Sequence, residues 1–385
     1  MKNARHSYAV VTVIVMLGML LLPVVQMFFH FLPEKEVTGE NRAMAEFPML
    51  KLSNMDAFPG QFDCFFSDHF PFRGDVLDIS FQYNLLRHQS PIPEVVIGKR
   101  DFLFSGKGEK DLYEGKLAFS ELEQQLAVEE LACRAKRLDS MGIRFYVVVA
   151  PTAMEVYPEY LPDYMQRADR TVTEQFCAMM RERAPEIRFV YLKEQMLQNK
   201  RNGRLYYKND NHWNPVGGYY AAEEILRMMR EDYPPLPESL EGQFVKRPYV
   251  KTSGNLGDMI AVSDRFRYFA ADTDYRVSYV DSTRFQHEEV SDRRYEPIPG
   301  FAYPWEYEMR YRTNREKPKL LVIRDSYAGA VMPYLSPYFS ESVFIFDAWR
   351  YGPNWDIVEQ EHPDIVLLMI YEPHIHNIVQ YSLSQ

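Results

Sequence analysis

Four short runs of consecutive apolar residues constrain the fold of this chain more than any other feature of its sequence. Strands that are buried on both faces have this composition, because helices cover both sides of a parallel sheet. The runs are IRFYVVVAP at 143–151, KLLVIRDS at 319–326, SVFIFDA at 342–348 and DIVLLMIYE at 364–372. They predict an α/β fold built on a mostly parallel sheet.

Segments whose apolar residues recur at helical spacing alternate with these strands, as in βαβ units. In the first of them, Leu122, Leu126 and Leu131 mark the face that is expected to be buried. The segment 241–315 has poor periodicity, so it is predicted to be an insertion of loops or antiparallel strands. The predicted helices lie at 119–139, 171–182 and 214–232, and a further strand is predicted at 187–192.

The N-terminal region contains a long apolar run, 8–31, without Asp, Glu, Lys or Arg. A helix of this length covers the ~30 Å hydrocarbon layer of a membrane at about 1.5 Å per residue. Lys2 and Arg5 precede the run and Glu34 follows it, so the positive-inside rule places the N-terminus in the cytoplasm. A cleaved secretory signal is the alternative, although its apolar region is typically only roughly 7 to 15 residues long. Both interpretations leave the rest of the chain outside the cytoplasm.

These features divide the chain into four predicted parts. The predicted location is the cell membrane, with a single span and the large C-terminal part on the extracytoplasmic side. The parts are a cytoplasmic N-terminus at 1–7, a transmembrane anchor at 8–31, an extracytoplasmic lead-in with a helix at 32–93, and a large domain at 94–385 that contains the 241–315 insertion.

Charge and cysteine content exclude two classes of protein. The net charge is -10 and the pI is near 5.5, so phosphate backbones are not attracted in general and nucleic acid is not an expected partner. Cys64, Cys133 and Cys177 can form at most one disulfide, so disulfides cannot be the main stabilising element. Cys133 and Cys177 lie in predicted helices and are expected to be buried as small apolar residues.

A serine follows one of the predicted strands. Ligands of open α/β sheets bind outside the carboxyl ends of the strands, so polar residues at these ends are the first candidates for a site. Ser326, in RDSYAG, ends the strand at 319–326, and a helix is predicted after it. A serine at such a turn presents its hydroxyl at the rim of the sheet, near backbone N–H groups that can stabilise an oxyanion. The alternative is that Asp325 and Ser326 only cap the helix.

An aspartate and a histidine precede another predicted helix. In an extended segment residues i and i+2 share a face, so the carboxylate of Asp210 can reach the ring of His212 and fix its tautomer. The other ring nitrogen is then free to take a proton. The alternative is that Asp210 or Asn214 caps the helix and His212 is a surface residue.

Ser326, His212 and Asp210 together supply a nucleophile, a base and a residue that orients the base, the minimum set for acyl transfer through a covalent intermediate. Metal chemistry is not predicted, because no cluster with ligand spacing lies near His212, and His374 with His376 would lack a third ligand. No cofactor is expected. Residues at or next to the ends of strands are further candidates for contacts with substrate: Trp213, Thr152, Arg350, Tyr371 and Glu372.

The order of several short motifs resembles that of the alginate O-acetyltransferase-like proteins of the SGNH hydrolase superfamily, also called DHHW proteins. The resemblance implies a flavodoxin-like three-layer α/β/α sandwich, with Ser326 in the position of the nucleophile and Asp210 and His212 in that of the Asp-x-His-Trp pair. The motifs are DHFPFR at 68–73, GKRDFLF at 98–104, APTAMEVYPEYLP at 150–162, DNHWNPVGGY at 210–219, SGNLGDM at 253–259 and RDSYAG at 324–329.

The resemblance also implies an activity and partners. Members of the family act outside the cytoplasmic membrane and move acetyl groups to hydroxyls of exported polysaccharide, often downstream of a multispanning membrane acyl carrier protein. Two residues depart from the family pattern: Arg324 replaces the glycine of Gly-Asp-Ser, which bears on the oxyanion site, and Asn211 replaces the second histidine of Asp-His-His-Trp. Three functions therefore stay open: an O-acetyltransferase, an acetylesterase of the same fold, or a non-catalytic protein that binds or assembles glycans.

Overall fold

The predicted parallel sheet lies in the larger of two compact units in the computed structural model of the chain. The larger unit comprises 94–256 and 271–385, and the smaller comprises 1–93 and 257–270. The structure describes residues 2–29, 31–33, 44–51, 54–87, 89–252, 254–260, 272–280, 287–290, 293–297, 299, 301, 303–316 and 318–382.

The central sheet has seven strands in the order β4-β3-β11-β9-β10-β8-β7. The first five run parallel, β8 is antiparallel to its neighbour β10, and β7 is antiparallel to β8. Two separate antiparallel pairs are formed by β1 with β2 and by β5 with β6. The strands are β1 Val95–Ile97, β2 Leu103–Ser105, β3 Arg144–Ala150, β4 Arg188–Tyr191, β5 Phe244–Lys251, β6 Asp272–Tyr279, β7 His287–Glu289, β8 Glu308–Thr313, β9 Leu320–Arg324, β10 Glu341–Phe346 and β11 Ile365–Tyr371.

Helices cover both faces of this sheet, and they pack on alternate residues of the same strands. Along β3, Tyr146 and Val148 belong to one buried apolar cluster, whereas Val147 and Val149 belong to the other. The helices are α1 Lys2–Phe29, α2 Phe58–Asp68, α3 Arg73–Leu86, α4 Glu109–Tyr113, α5 Glu121–Ser140, α6 Ala153–Val156, α7 Val172–Arg183, α8 Lys193–Asn199, α9 Pro215–Arg230, α10 Asn255–Ile260, α11 Pro304–Tyr307, α12 Met332–Leu335, α13 Trp355–Glu361 and α14 Asn377–Ser382. Residues of α9 and α12 belong to the first cluster and residues of α5, α7, α13 and α14 to the second, which confirms the three-layer sandwich.

The buried face of α5 differs from the predicted one. Leu131 is buried, but Leu122 is 65% exposed and Leu126 is 39% exposed. Each exposed leucine lies two residues before a buried position, about 200° around the helix. Cys133 is also exposed, so the expectation that it is buried is wrong, whereas Cys177 in α7 is buried. The buried positions of α5 are Gln124, Ala127, Val128, Leu131, Arg134 and Leu138.

The predicted insertion at 241–315 contributes to the central sheet as well as to a separate antiparallel pair. Strands β5 and β6 pair with each other over their full length. Strand β8 instead adds to the edge of the parallel sheet, with Val343 of β10 opposite Arg310, and β7 pairs with β8. Residues 261–271 and 281–286 of the insertion lie outside the described residues.

The smaller unit contains α1, α2 and α3. Within α1, the segment Val10–Met27 is long and apolar enough to cross a membrane, and it is the one such helix in the described part of the chain. Glu34, one of the charged residues from which the orientation of this helix in the membrane is predicted, lies outside the described residues.

Candidate active site

The carboxyl end of β9, which precedes Ser326, and the loop before α9, which carries Asp210 and His212, meet at one edge of the sheet. There the three predicted site residues form a chain of hydrogen bonds. His212 Nδ1 lies 2.7 Å from Asp210 Oδ1, and His212 Nε2 lies 2.7 Å from Ser326 Oγ. Ser326 is exposed, His212 is half-buried and Asp210 is buried. The hydroxyl is therefore open to solvent while the carboxylate at the other end of the line is sheltered.

The hydrogen-bond partners determine the tautomer of His212. An ionised carboxylate only accepts hydrogen bonds, so the proton lies on Nδ1 and is donated to Asp210 Oδ1. Nε2 is then unprotonated and accepts the hydroxyl proton of Ser326. This arrangement can remove a proton from Ser326, which is the first requirement for a serine nucleophile.

Local sequence positions the loop that carries His212. Asn214 caps α9 by accepting hydrogen bonds from the N–H groups of Val216 and Gly217, and Pro215 is at the first helical position. Gly218 lies against Ala330, where an added Cβ would be 2.1 Å from the Ala330 carbonyl oxygen. Only glycine permits this close approach of α9 to the segment after Ser326.

Asp325 fixes the turn that presents Ser326. Its Oδ2 accepts hydrogen bonds from the N–H of Tyr371 at 2.6 Å and from the hydroxyl of Tyr351 at 2.8 Å. Its Oδ1 accepts the N–H of Tyr327 at 2.8 Å. The expectation that the N–H groups after Ser326 serve an oxyanion is therefore wrong for Tyr327. The predicted helix after Ser326 is a 3₁₀ turn, Ser326–Ala330, followed by the short α12.

Two residues that the sequence did not indicate hold Asp210. Lys251 Nζ, at the end of β5, lies 3.0 Å from Asp210 Oδ2, and the N–H of Asn255 donates to the same oxygen at 3.3 Å. Burial by itself raises the pKa of Asp210, but the hydrogen bonds and charge of His212 and the charge of Lys251 together hold it well below its usual range. Asp210 is thus a carboxylate at every physiological pH.

The five predicted substrate contacts have different surroundings in the structure. Trp213 is 1% exposed and donates its indole N–H to the carbonyl of Tyr327, and it is one of the residues that line the cleft beside Ser326. Thr152 and Glu372 are fully buried and bonded to each other, through the Thr152 N–H and Glu372 Oε2 at 2.9 Å. The side chains of these two strand-end residues point into the core, and neither lines the cleft beside Ser326.

Tyr371 and Arg350 also lie away from the reacting groups. The ring of Tyr371 stacks behind that of Tyr327, with 4.4 Å between centroids. Arg350 is exposed and lines a separate cavity of about 350 Å³ beside the end of β10. Ser326 and His212 line a cleft of about 680 Å³ together with Lys251, Trp305 and Arg324. This volume is in the range of small-molecule and cofactor sites.

Arg324 is one of the two residues that depart from the family pattern, and its side chain is buried beside the cleft that contains Ser326. It is 1% exposed, lies 4.6 Å from the centroid of the Phe346 ring and donates to the carbonyl oxygen of Glu306. Burial lowers the pKa of Arg324 to about 10, which leaves it charged at neutral pH. Its guanidinium is thus held by Phe346 and the Glu306 carbonyl, while the residue lines the cleft with Ser326.

The described residues contain no group of three or more His, Cys, Asp or Glu side chains that could hold a metal ion. His374 contacts the hydroxyl of Tyr351 at 3.2 Å, and burial lowers the pKa of both His374 and His376. These two histidines lie at the 3₁₀ turn Glu372–His374 and just after it, on the way to α14.

A buried carboxyl group lies beneath this site and predicts an effect of pH on stability. Glu109 of α4 accepts the hydroxyl of Tyr371, and desolvation, with the nearby Glu372 charge, raises its pKa from 4.5 to about 8. The folded state therefore holds a proton that the unfolded state releases, and the free energy of unfolding falls as pH rises between these two values.

We expect Glu109→Gln to reduce this fall by up to about 1.4 kcal/mol per pH unit, because the amide keeps a neutral side chain. Denaturant unfolding of the full chain at about pH 5 and about pH 8 measures the slope. Glu121→Gln, at an exposed position on α5, is the matched control and should keep the original slope. Equal slopes for Glu109→Gln and the original chain would contradict a protonated Glu109.

Comparison with known proteins assigns the chain to a family. The family described as SGNH hydrolase-like domain, acetyltransferase AlgX, matches residues 95–293, just over half of the chain. The matched part contains Asp210 and His212, and Ser326 follows it. A curated relative, the probable alginate O-acetylase AlgJ of Pseudomonas aeruginosa, is 28% identical over 202 residues, which are 52% of this chain and 48% of that protein. The chain thus matches about half the length of that relative.

Solved structures show the same fold. Bacillus cereus PatB1 aligns with a TM-score of 0.54 at 14% identity, covering 73% of this chain and 96% of PatB1. A second PatB1 structure, with a sulfonyl adduct, aligns with a TM-score of 0.50 at 12% identity, covering 73% of this chain and 97% of that one. Since the family match spans half of the sequence and the fold agrees, the chain belongs to the SGNH hydrolase-like acetyltransferase family of AlgX.

Proposed function

We propose that this protein is an O-acetyltransferase that acetylates hydroxyls of a polysaccharide through a covalent acetyl group on Ser326. The observation that carries the proposal is the hydrogen-bonded line Asp210–His212–Ser326, with 2.7 Å between His212 Nε2 and Ser326 Oγ. Membership of the AlgX family and the relative named as a probable alginate O-acetylase support acetyl transfer as the reaction.

In the first half-reaction, Ser326 Oγ attacks the carbonyl carbon of an acetyl donor, and its proton moves to His212 Nε2. The ring is then positively charged, and the carboxylate of Asp210 stabilises it. As the bond between the acetyl carbon and the donor breaks, Nε2 gives the proton to the leaving group. Acetyl-Ser326 remains, and general-base assistance of this kind contributes roughly 10²- to 10⁴-fold to the rate.

In the second half-reaction, a sugar hydroxyl takes the place of the donor. His212 Nε2 removes the proton of that hydroxyl while its oxygen attacks the acetyl carbon. The bond to Ser326 Oγ breaks, and the serine recovers its proton from the ring. The sugar ester is released and the enzyme returns to its starting state.

The N-terminal helix supports a location at the membrane. We propose that α1 is a single anchor, that Lys2 and Arg5 keep 1–7 in the cytoplasm, and that the domain at 94–385 acts on the extracytoplasmic side after the lead-in at 32–93. In that position acetyl groups would come from a multispanning membrane acyl carrier protein, and the acceptor would be an exported or cell-surface polysaccharide.

The test is to capture the acetyl group on the full chain in detergent. Incubation with p-nitrophenyl acetate should place one acetyl group on the peptide that contains Ser326, as read by mass spectrometry. Adding oligosaccharide should then remove it and yield acetylated sugar. Release of acetate to water at a rate that oligosaccharide does not change would instead identify an acetylesterase. Absence of any acetyl group on Ser326 would contradict both and favour a non-catalytic glycan-binding protein.

A further inference from the structure

Three large aromatic side chains are exposed in the larger unit, and one of them, Trp305, lines the cleft. Trp305 is 57% exposed, Tyr303 49% and Trp349 42%. Folding does not favour such exposure, because apolar surface is more stable out of water. Contiguous exposed apolar patches on soluble domains commonly mark binding sites. These three side chains are called the aromatic platform below.

The platform is continuous from ring to ring. Trp305 contacts Tyr303, with 5.7 Å between centroids, and Phe301 connects Tyr303, at 6.4 Å, to Trp349, at 5.4 Å. Trp349 also contacts Phe346 at 5.8 Å. A single strip of rings therefore runs across this side of the larger unit.

Two arginines hold the turn that carries Trp305. Arg293 donates to the carbonyl oxygens of Pro304 and Trp305, at 3.1 and 2.6 Å. Arg324, from the end of β9, donates to the carbonyl oxygen of Glu306. Arg324, one of the two residues that depart from the family pattern, thus connects the turn of Trp305 to the end of the strand that precedes Ser326. A ring held in place before binding loses less conformational entropy when it binds.

The platform joins two concave sites. At one end Trp305 lines the cleft that contains Ser326. At the other end Phe346, which contacts Trp349, lines the cavity of about 350 Å³ with Asp347, Arg350 and Asn354. Flat apolar rings with carboxylate, guanidinium and amide groups beside them match a sugar chain, whose rings have an apolar C–H face and a hydroxylated edge.

We propose that the aromatic platform binds the acceptor polysaccharide over several sugar residues, from the Ser326 cleft to the Arg350 cavity. This inference rests on the proposed function, since it assigns where the unreacted part of the acceptor lies. It also predicts that a chain of linked sugars binds more tightly than a single sugar, because only a chain extends from the Ser326 cleft to Trp349.

The test measures binding separately from chemistry, on the full chain with Ser326→Ala in detergent. Trp305 and Trp349 belong to the platform, Trp213 lines the Ser326 cleft and Trp355 lines the Arg350 cavity, so a change in fluorescence reports binding anywhere along the proposed path, and the platform variants locate it. The probes are mannuronate and N-acetylglucosamine, each as the monosaccharide and as the tetramer.

We expect at least one tetramer to change the fluorescence and to bind about tenfold or more tightly than its monosaccharide. Trp349→Ala and Tyr303→Ala should remove this advantage of length. Tyr164→Ala, which removes another exposed ring at 68% exposure, should keep it. Equal affinity for monosaccharide and tetramer, unchanged binding in both platform variants, or no binding of any probe would overturn the proposal.

The two proposals fail in different ways. If Ser326 is acetylated by p-nitrophenyl acetate but the tetramers do not bind, the platform assignment is wrong and the acetyl-enzyme stands. If tetramers bind through Trp349 but Ser326 is never acetylated, the platform stands and the transferase is wrong. A dimer in light scattering that Trp349→Ala converts to a monomer, without glycan binding, would show that the platform contacts a second copy of the chain.

Discussion

Replacing Ser326 by alanine is expected to lower the rate of acetyl transfer by about 10⁴- to 10⁶-fold, the largest effect of any single substitution in this chain. The change removes the oxygen that forms the covalent bond, and His212 at 2.7 Å is left without the proton that it would take. The residual rate would come only from binding of donor and acceptor in the cleft. Acetylated oligosaccharide, measured by mass spectrometry, gives the rate, and the acetyl label on the 326 peptide should disappear with it.

Stability separates this result from misfolding. Ser326 is exposed, so its loss should change the free energy of unfolding by no more than about 0.5 kcal/mol. Ser140→Ala, at another exposed serine, is the matched control and should keep both rate and stability. A Ser326→Ala protein that folds normally and still transfers acetyl at a comparable rate would end the covalent mechanism.

The central strands could be predicted because burial on both faces leaves an unbroken apolar run. Strand β8 could not, because two of its three buried positions are charged. Glu308 and Arg310 are 2% and 1% exposed, and Arg310 donates to Glu308, Glu341 and Glu361. An interior ion cluster has the same composition as a surface loop, so the sequence pattern placed β8 in an insertion rather than at the edge of the sheet.

In the site, too, residues that are close in sequence could be predicted, whereas contacts between distant parts of the chain could not. Asp210 and His212 could be paired from their spacing, and Ser326 from its position after a strand. Lys251 is the last residue of β5 and Asn255 is the first residue of α10. Nothing in the sequence around them predicts that they bind Asp210, which lies about forty residues earlier. Their contacts become visible only when the 241–315 segment is folded against the loop.

Position at the end of a strand also does not determine where a side chain points. Thr152 caps α6 and Glu372 accepts hydrogen bonds from Thr152 and Tyr191, so both stabilise the core at the rim of the sheet. Exposed aromatic residues gave no sequence signal either, because most of the chain's rings pack in the core. The catalytic roles of Ser326, His212 and Asp210 stay predictions, and substitution of Asp210 tests the role of the residue farthest from the reacting hydroxyl.

Asp210→Asn is expected to lower kcat by about 10⁴-fold, although the side chain keeps its shape. Lys251 and the N–H of Asn255 both donate to Oδ2, so the amide oxygen of an asparagine would face them and its NH₂ group would face His212. Nδ1 would then accept a hydrogen bond, and the ring proton would move to Nε2. His212 could no longer accept the proton of Ser326, and no negative charge would stabilise the protonated ring.

The nitrogen chemical shifts of His212 provide a second readout that loss of structure would not imitate. They should show the proton on Nδ1 in the original protein and on Nε2 in Asp210→Asn. Asp163→Asn, at an aspartate that pairs with Lys99 on the surface, is the matched control and should leave the tautomer and kcat unchanged. Because the pKa of Asp210 lies well below its usual range, its carboxylate should stay ionised and keep accepting the Nδ1 proton of His212 as pH falls toward the acid limit of folding. A variant with the Nε2 tautomer and undiminished kcat would show that His212 is not the base.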